Sequence, residues 1–284
     1  MIVYLNGDFM PMAEASISPD DRGFLFADGI YEVIYAYEGF LFRAESHWRR
    51  LKKCLVDLQI EGCDEIDFEA IANDLVRQNH LSDTDAYVYL QITRGAAPRN
   101  HAFPHGSKPT IYGFARPMQK IAALQRTGCK VITAPDQRWL RCDIKSISLL
   151  PNILAKEEAV KANVFETVMV RDGNITEGSS ASFAAIFDKQ LVTAPLGNLI
   201  LPSITREVTL ELCQKLGIPV AEEFILAASI GGANEAMLMS TTAEIMPVVE
   251  IDGQPVGDGQ PGRLTRKLQE AFRQMVSQDK AIYA

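Results

Sequence analysis

Apolar positions along this chain follow helical spacing in some stretches and strand spacing in others. Apolar residues three and four positions apart predict amphipathic helices that begin near Ser46, after Asp67 and at Ser203. Short stretches rich in β-branched and aromatic residues predict strands over 30–37, 87–93, 110–114, 130–134, 166–170, 236–240 and 247–251. This mixture predicts a protein that combines α and β structure.

Turn and cap residues mark where several of these elements end. Glu38-Gly39, Asp172-Gly173-Asn174 and Asp252-Gly253 each predict a tight turn after a strand. Gly217 and Pro219 predict the end of the helix that begins at Ser203.

Two more helices are predicted in the second half of the chain. One covers 150–161, and its spacing places Ile153, Leu154 and Ala159 on the inward face. The other covers 264–276.

A stretch without clear periodicity predicts the division into domains. It covers 117–124, after the last predicted strand of the N-terminal half and before the strand at 130–134. We therefore expect an N-terminal α+β domain over 1–116, an interdomain linker over 117–124 and an α/β C-terminal domain over 125–284.

Composition excludes some classes of function. The 284 residues are 47% hydrophobic, enough for two cores, and the formal net charge of −8 argues against nucleic-acid binding. We expect no membrane span or secretory signal, because no long apolar run follows a basic start. Five cysteines without a C-x-x-C pair suit reduced thiols in the cytoplasm, and four scattered histidines predict no metal site.

Lys145 is a candidate reactive amine. It lies between Ile144 and Ile147, shortly before a Pro-Asn helix start. Burial favours the neutral form of an amine, and a neutral amine attacks carbonyl groups to form a Schiff base. A surface lysine whose stem covers apolar neighbours is the alternative, and these residues alone favour it. Cys142 is a second conceivable nucleophile, although a buried thiol that packs as a small apolar group is the simpler interpretation.

Other residues are candidates for binding anions. Arg99 and His101 lie two apart in a loop after a strand, where both can contact one carboxylate. The segment 203–205 opens a helix whose free N–H groups attract an anion, and 240–242 supplies hydroxyl donors. Arg50 offers a forked guanidinium that suits phosphate. Ordinary helix caps and solvated arginines remain the alternative for each.

Several motifs occur together in one order. They are His47-Trp-Arg-Arg50, Thr93-Arg-Gly-Ala-Ala-Pro-Arg99-Asn-His101, Cys142-Asp-Ile-Lys145, Thr176-Glu-Gly-Ser-Ser180, Leu201-Pro-Ser-Ile-Thr-Arg206 and Ser240-Thr-Thr-Ala-Glu-Ile-Met-Pro247. From about Tyr4 to Leu268, the chain resembles the fold-type IV pyridoxal-phosphate (PLP) aminotransferases. Within that family it is most similar to the D-amino acid aminotransferases. The resemblance implies a two-domain α/β enzyme with the cofactor at the domain interface.

The resemblance also implies roles for particular residues. Lys145 would bond the cofactor's aldehyde, and Glu177, at a strand end, would face its ring nitrogen. Without the resemblance, Glu177 would read as a surface glutamate before a turn. The residues implied for cofactor binding are Lys145, Glu177, Arg50, Ile204, Thr205, Ser240 and Thr241, whereas Arg206 is assigned no contact.

Substrate binding is implied for Arg99 and His101 of a neighbouring subunit in a homodimer, together with Tyr31 and Val33. Trp139 and Leu201 are candidates for the apolar walls, with plain core packing as the alternative.

The chain departs from the family pattern at Ser182, where Asn is usual, and at Ala184, where Phe or Tyr is usual. These departures put the support around Glu177 in doubt.

The expected reaction is a ping-pong transfer of the amino group of a D-amino acid to a 2-oxo acid such as 2-oxoglutarate. The alternatives on this scaffold are a branched-chain L-amino acid aminotransferase, an (R)-amine transaminase and an aminodeoxychorismate lyase. A PLP-binding protein without turnover is an alternative of a different class.

Overall fold

The computed structural model describes residues 1–119 and 121–283. It divides into two compact units, each with its own core. Unit 1 contains 1–119, 144–148 and 279–283, and unit 2 contains 121–143 and 149–278. Lys120 of the predicted linker and Ala284 of the predicted C-terminal domain lie outside the described residues. Within the described residues, no helix is long and apolar enough to cross a membrane.

Unit 1 contains a six-stranded antiparallel sheet. Its strands are β1 (Ile2–Leu5), β2 (Asp8–Pro11), β3 (Gly29–Tyr37), β4 (Phe40–Leu41), β5 (Ala86–Thr93) and β6 (Thr110–Pro117). Their order in the sheet is β2-β1-β6-β5-β3-β4. Along β5, Val88, Leu90 and Ile92 alternate with less buried residues and point into the core.

Three helices of unit 1 are α1 (Arg22–Phe26), α2 (Ala44–Asp57) and α3 (Phe68–Gln78). The helix predicted near Ser46 begins two residues earlier, at Ala44. Asp67 caps α3 as predicted, because its Oδ1 accepts a hydrogen bond from Ala70 N at 2.9 Å. α2 packs against β3 and α3 against β6, which buries their apolar faces on the sheet.

Unit 2 contains a mixed sheet of ten strands. They are β7 (Cys129–Pro135), β8 (Glu166–Arg171), β9 (Asn174–Gly178), β10 (Ser182–Phe187), β11 (Gln190–Thr193), β12 (Val220–Glu222), β13 (Ile225–Leu226), β14 (Glu235–Ser240), β15 (Glu244–Ile251) and β16 (Gln254–Pro255). The order is β12-β11-β10-β14-β15-β7-β8-β9-β13, with β16 on β15. The parallel pairs are β7 with β8, β7 with β15 and β11 with β12.

The remaining helices are α4 (Ala122–Thr127), α5 (Leu150–Lys161), α6 (Ile204–Leu216) and α7 (Arg263–Tyr283), with a 3₁₀ turn at Ala227–Gly232. Ser203 caps α6, and Gly217 ends it in the left-handed region at φ 66°. The Glu235 carboxylate accepts the N–H groups of Leu264 and Thr265 at 2.9 and 2.7 Å, which fixes the start of α7.

The predicted inward face of α5 is wrong for two of its three residues. Ile153 and Leu154 are 59% and 54% exposed. Ala155 and Ala159 are the buried positions, and α5 packs against β8. Two alanines one turn apart let the helix backbone approach the sheet closely, and the larger residues then face away from it.

Some elements carry no strong local signal and were not predicted. They are the four-residue strands β1, β2 and β11, the shorter strands β12, β13 and β16, the short helices α1 and α4, and β10. α7 also extends beyond the predicted end at 276. Short elements are specified mainly by tertiary pairing, because too few residues are present to establish a period.

Leu75 provides a test of the unit 1 core. Its side chain is fully buried, whereas Val56 on α2 is 76% exposed. We expect Leu75→Ala to lower the free energy of unfolding by about 2–5 kcal/mol, because it leaves a cavity. Val56→Ala should change it by no more than about 0.5 kcal/mol. Equal effects in urea unfolding would contradict this placement of α3.

Candidate functional site

Lys145 belongs to a short segment that pairs with β3. Tyr31 N donates to Lys145 O at 3.0 Å, and Ile147 N donates to Gly29 O at 3.0 Å. An isolated antiparallel bridge joins Ile30 and Ser146. β4 pairs with Ala36 and Tyr37 at the end of β3. The Lys145 segment pairs with the same edge at the start of β3.

The Lys145 side chain lies against Tyr31. Its Nζ is 4.2 Å from the centroid of the Tyr31 ring, a cation–π contact for the protonated amine. The backbone N–H of Lys145 donates to Cys54 Sγ at 3.4 Å. Lys145 is half-buried, and the pairing with β3 holds its backbone.

Tyr31 and Val33 lie on the same face of β3, two residues apart, and both are half-buried. Tyr31 stacks on Tyr89 of the neighbouring strand with 5.6 Å between ring centroids. Both predicted substrate residues of β3 therefore share the face that Lys145 contacts.

Glu32 points to the opposite face of β3 and forms a buried ion pair with α2. Its Oε2 accepts from Arg50 Nε at 3.0 Å, and its Oε1 accepts from Arg50 Nη2 at 2.6 Å. His47 Nδ1 lies 3.0 Å from Glu32 Oε1. The three side chains are at most 7% exposed, so the predicted phosphate ligand Arg50 also neutralises an internal carboxylate.

The electrostatics of this cluster set the charge of each member. Burial alone would raise the pKa of Glu32, but Arg50 and His47 outweigh it and hold that pKa far below its ordinary value. Burial lowers the pKa of His47 despite the nearby Glu32, and the charges of Arg50 and Lys145 lower it further. The cluster therefore contains an anionic Glu32 and a cationic Arg50, whereas burial disfavours a charge on His47.

Glu177 is one of the buried carboxylates of unit 2. It lies near the end of β9, as predicted, and is 5% exposed. Arg138 Nη1 donates to its Oε1, and Leu201 N donates to both carboxylate oxygens at 3.1 and 3.2 Å. Burial raises the pKa of Glu177. Arg138 and the Leu201 N–H lower it, but they offset the rise only in part.

Arg138 was not identified from the sequence, although it is the main partner of Glu177. Asp136 holds its guanidinium through two hydrogen bonds, from Nε at 2.9 Å and from Nη2 at 2.8 Å. Arg138 also donates to the carbonyl of Leu199 at 3.1 Å. The available signal was Asp136-Gln-Arg138, a charged pair directly after β7.

The predicted anion-binding residues of unit 2 lie at the start of α6 and in the turn after β14. The backbone N–H groups of Ile204 and Thr205 lie in the first turn of α6, where no carbonyl of the helix can accept from them. They can therefore donate to a ligand. In the turn, Ser240 Oγ accepts from Ala243 N at 3.1 Å, and Thr241 is half-buried. Arg206 binds elsewhere, to Ala194 O at 2.9 Å and Glu222 at 2.7 Å.

Arg99 and His101 are exposed and share a neighbour. The Arg99 guanidinium lies 5.2 Å from the centroid of the Phe26 ring, and the His101 ring lies 5.5 Å from it. Phe26 at the end of α1 therefore contacts both predicted carboxylate-binding side chains. Trp139, a candidate wall residue of unit 2, is 46% exposed.

The two residues that depart from the family pattern, Ser182 and Ala184, both lie on β10 in unit 2. Ser182 Oγ is buried without a hydrogen-bond partner among the described residues, and Ala184 is fully buried. The partners of Glu177 are Arg138 and the Leu201 N–H, so its support does not come from β10.

Comparisons with known proteins agree on the family. The profile of the family described as amino-transferase class IV matches residues 29–251. The chain is 39% identical to a D-alanine aminotransferase of Bacillus licheniformis, over 99% of both chains. It is 41% identical to that of Staphylococcus haemolyticus, over 96% of this chain and 97% of the relative.

A solved structure of a branched-chain amino acid aminotransferase from Thermobaculum terrenum, in its PLP form, is also similar. The TM-score is 0.84 at 25% identity, over 97% of this chain and 93% of that one. The chain belongs to the class IV aminotransferases and has their fold.

The Glu32–Arg50 pair allows a test that does not depend on function. Removal of one partner of a buried pair leaves an uncompensated charge, so Glu32→Ala should lower the free energy of unfolding by about 3–5 kcal/mol. The matched control is Asp74→Ala, which breaks a pair whose arginine is 70% exposed. That change should cost about 1 kcal/mol or less. Similar losses for both variants in denaturant unfolding would argue against the buried pair.

Proposed function

We propose that this protein is a PLP-dependent aminotransferase that transfers the amino group of a D-amino acid to a 2-oxo acid such as 2-oxoglutarate. The observation that carries the proposal is the Lys145 amine, fixed beside Tyr31 by the pairing of its segment with β3. Identity of 39% and 41% to two D-alanine aminotransferases supports the D-amino acid class.

The donor set fits PLP, which carries an aldehyde, a basic ring nitrogen and an anionic phosphate. Lys145 supplies the amine, and the buried Glu177 carboxylate can accept a hydrogen bond from a protonated ring nitrogen. The residues we propose for the phosphate are Arg50, Ile204, Thr205, Ser240 and Thr241. When bound, PLP supplies a carbonyl for the substrate amine and a ring that accepts electrons from the substrate Cα.

Lys145 then has two tasks. With PLP bound, its amine would hold the aldehyde of the cofactor. With substrate present, the free amine of Lys145 would act as the base that takes the proton from the substrate Cα. One 2-oxo acid would leave before the second 2-oxo acid binds and receives the amino group, which is a ping-pong mechanism.

Glu177 keeps a proton on the ring nitrogen, because a carboxylate favours the charged form of a neighbouring base. Burial raises its pKa, so its ionised form depends on cationic partners. Arg138 provides one such partner, and Asp136 holds Arg138 through Nε and Nη2. We therefore assign Arg138 the role of keeping Glu177 ionised and in place.

The substrate carboxylate is proposed to bind Arg99 and His101 of a second copy, together with Tyr31. The exposed loop residues offer a cation and a ring donor for one carboxylate. Phe24 and Phe103 are 77% and 51% exposed on the segments around this loop. Apolar surface of this kind supports a homodimer. All five cysteines are free and buried, which supports a reducing, cytoplasmic location.

A branched-chain L-amino acid aminotransferase is the second candidate. The observation in its favour is the similarity to the Thermobaculum terrenum enzyme. The identity to that enzyme, 25%, is lower than the 41% to a D-alanine aminotransferase. The Arg99-x-His101 motif also favours the D-amino acid reaction.

A half-reaction screen tests the choice. The PLP-loaded protein is mixed with D-alanine, L-leucine or (R)-1-phenylethylamine, and the visible absorbance of the cofactor is followed together with the carbonyl product. We expect D-alanine to react fastest and to yield pyruvate. Faster reaction of L-leucine would establish the branched-chain alternative, and the absence of reaction with all amines would leave only cofactor binding.

Lys145→Ala should abolish transamination while the protein stays folded, because the amine that holds the aldehyde is lost. Lys161→Ala is the control, since Lys161 is a solvent-exposed helix residue that pairs with Glu158. Borohydride reduction of the PLP-loaded parent followed by peptide mapping should find the label on Lys145. A label on Lys156 or Lys161 would overturn the assignment.

Arg99→Ala should weaken the use of D-amino acids far more than cofactor binding. Charge-assisted hydrogen bonds are worth roughly 1.5–3 kcal/mol, so kcat/KM for D-alanine should fall by about one to two decades. Amines without a carboxylate should be spared. Arg77→Ala, which removes an arginine that is 70% exposed, is the control.

Mixed dimers show whether the loop acts across subunits. When Arg99→Ala chains exchange with Lys145→Ala chains, one site of a mixed dimer combines Lys145 with an intact Arg99 from its partner. Activity should then reappear. Inactive dimers of verified mixed composition would place the loop within its own subunit's site.

A further inference from the structure

The loop that carries Arg99 and His101 is held by one buried arginine. Arg22, on α1, is 3% exposed. Its Nη1 donates to the carbonyl of Asn100 at 2.6 Å and to that of Ala102 at 3.4 Å, and its Nη2 donates to that of His101 at 3.5 Å. Three consecutive carbonyls of the loop therefore converge on a single guanidinium.

Arg22 is itself fixed by Asp28. Arg22 Nε donates to Asp28 Oδ2 at 2.7 Å, and Arg94 binds both oxygens of the same carboxylate at 2.9 and 3.0 Å. The two guanidinium groups outweigh burial and hold the pKa of Asp28 below its ordinary value. The Arg94 guanidinium also lies 3.6 Å from the centroid of the Phe103 ring, beyond the loop.

The chain leaves β5 in a conformation that favours glycine. Gly95 has φ +89°, and a Cβ there would lie 1.8 Å from the carbonyl oxygen of Lys108. Next to it, Arg22 N donates to Gly95 O at 3.0 Å, and Ala97 N donates to Asp20 O at 3.2 Å. The first residues of the loop are therefore fixed to the segment that opens α1.

Phe26 contacts the side chains of Arg99 and His101, whereas Arg22 binds the backbone of their loop. Its ring contacts the Arg99 guanidinium at 5.2 Å and the His101 ring at 5.5 Å, and the Arg22 guanidinium lies 4.8 Å from the same centroid. Arg99 and His101 are exposed, so within the described residues this ring is the aromatic surface that both share. Loss of the ring would free both side chains without removing either.

We propose that Arg22 and Phe26 are positioning residues for the carboxylate-binding pair Arg99 and His101. Arg22 sets the backbone of the loop, and Phe26 holds both side chains in one orientation. This inference rests on the proposed function, because it assumes that the loop binds the substrate carboxylate. Neither residue is assigned a contact with the reacting atoms.

The test compares Phe26→Leu with Phe26→Tyr, because only the leucine variant loses the ring. In the PLP-loaded enzyme, a positioning role predicts that Phe26→Leu raises KM for D-alanine and for 2-oxoglutarate roughly two- to fivefold. kcat should stay within about a factor of two, because orientation of a group that binds substrate and transition state alike affects KM alone. Phe26→Tyr should behave like the parent.

Arg22→Met extends the test to the backbone of the loop. It should raise both KM values about tenfold or more, since a hydrogen bond from a charged donor is lost. Asn79→Ala controls for general destabilisation, because it removes hydrogen bonds to Ile2 and Leu75 elsewhere in unit 1. Asn79→Ala should leave KM unchanged. If Arg22→Met fails to fold, the Phe26 pair still decides the question.

Arg99→Ala separates failure of this inference from failure of the proposed function. An unchanged KM in Arg99→Ala would refute the carboxylate-binding loop itself, and the inference with it. A raised KM in Arg99→Ala with parental values in Phe26→Leu would overturn only the positioning role. Equal KM values in Phe26→Leu and Phe26→Tyr would do the same.

Discussion

Compensation of buried carboxylates by arginine is the constraint on which the rest of this structure depends. The buried Glu32 is paired with Arg50, the buried Glu177 with Arg138, and the half-buried Asp28 with both Arg22 and Arg94. A charge that is removed from water without a partner costs several kcal/mol, so each of these acids requires its cation. Planar guanidinium groups suit this task because they bind both oxygens of a carboxylate at once.

These ion pairs also connect local structure to the proposed chemistry. Asp28 lies directly before β3, and through Arg22 it orders the loop that carries Arg99. Glu32 lies within β3, next to Tyr31, and joins α2 to the strand that Lys145 contacts. A single strand therefore combines a buried ionic face with a face that offers an amine and aromatic rings.

Local signals in the sequence predicted much of this fold. The Asp67 cap, the Gly217 helix end and the turn at Asp172-Gly173 depend on residues close together in the chain, and all three are present. The α5 face was wrong because apolar residues surround that helix, and contact with β8 rather than periodicity selects Ala155 and Ala159 for burial.

Residues of the candidate site could be predicted from the sequence only where a motif identified them. Lys145 and Glu177 came from a family resemblance, since an isolated lysine or glutamate has no distinguishing pattern. Arg138 and Arg22 were missed because their importance lies in partners 39 and 78 residues away. Such pairs form only when strand ends and loops meet in the folded chain, and propensity contains no information about them.

Ser182 departs from the family pattern, yet the Glu177–Arg138 ion pair is present. Its hydroxyl is buried without a protein partner among the described residues, a cost of about 1–3 kcal/mol where no water compensates it. That cost affects stability on β10. Glu177 is held by a guanidinium after β7 and by a backbone N–H before α6, and neither belongs to β10. Because the ion pair carries the positioning, substitution at 182 can lower stability while the carboxylate keeps its place and charge.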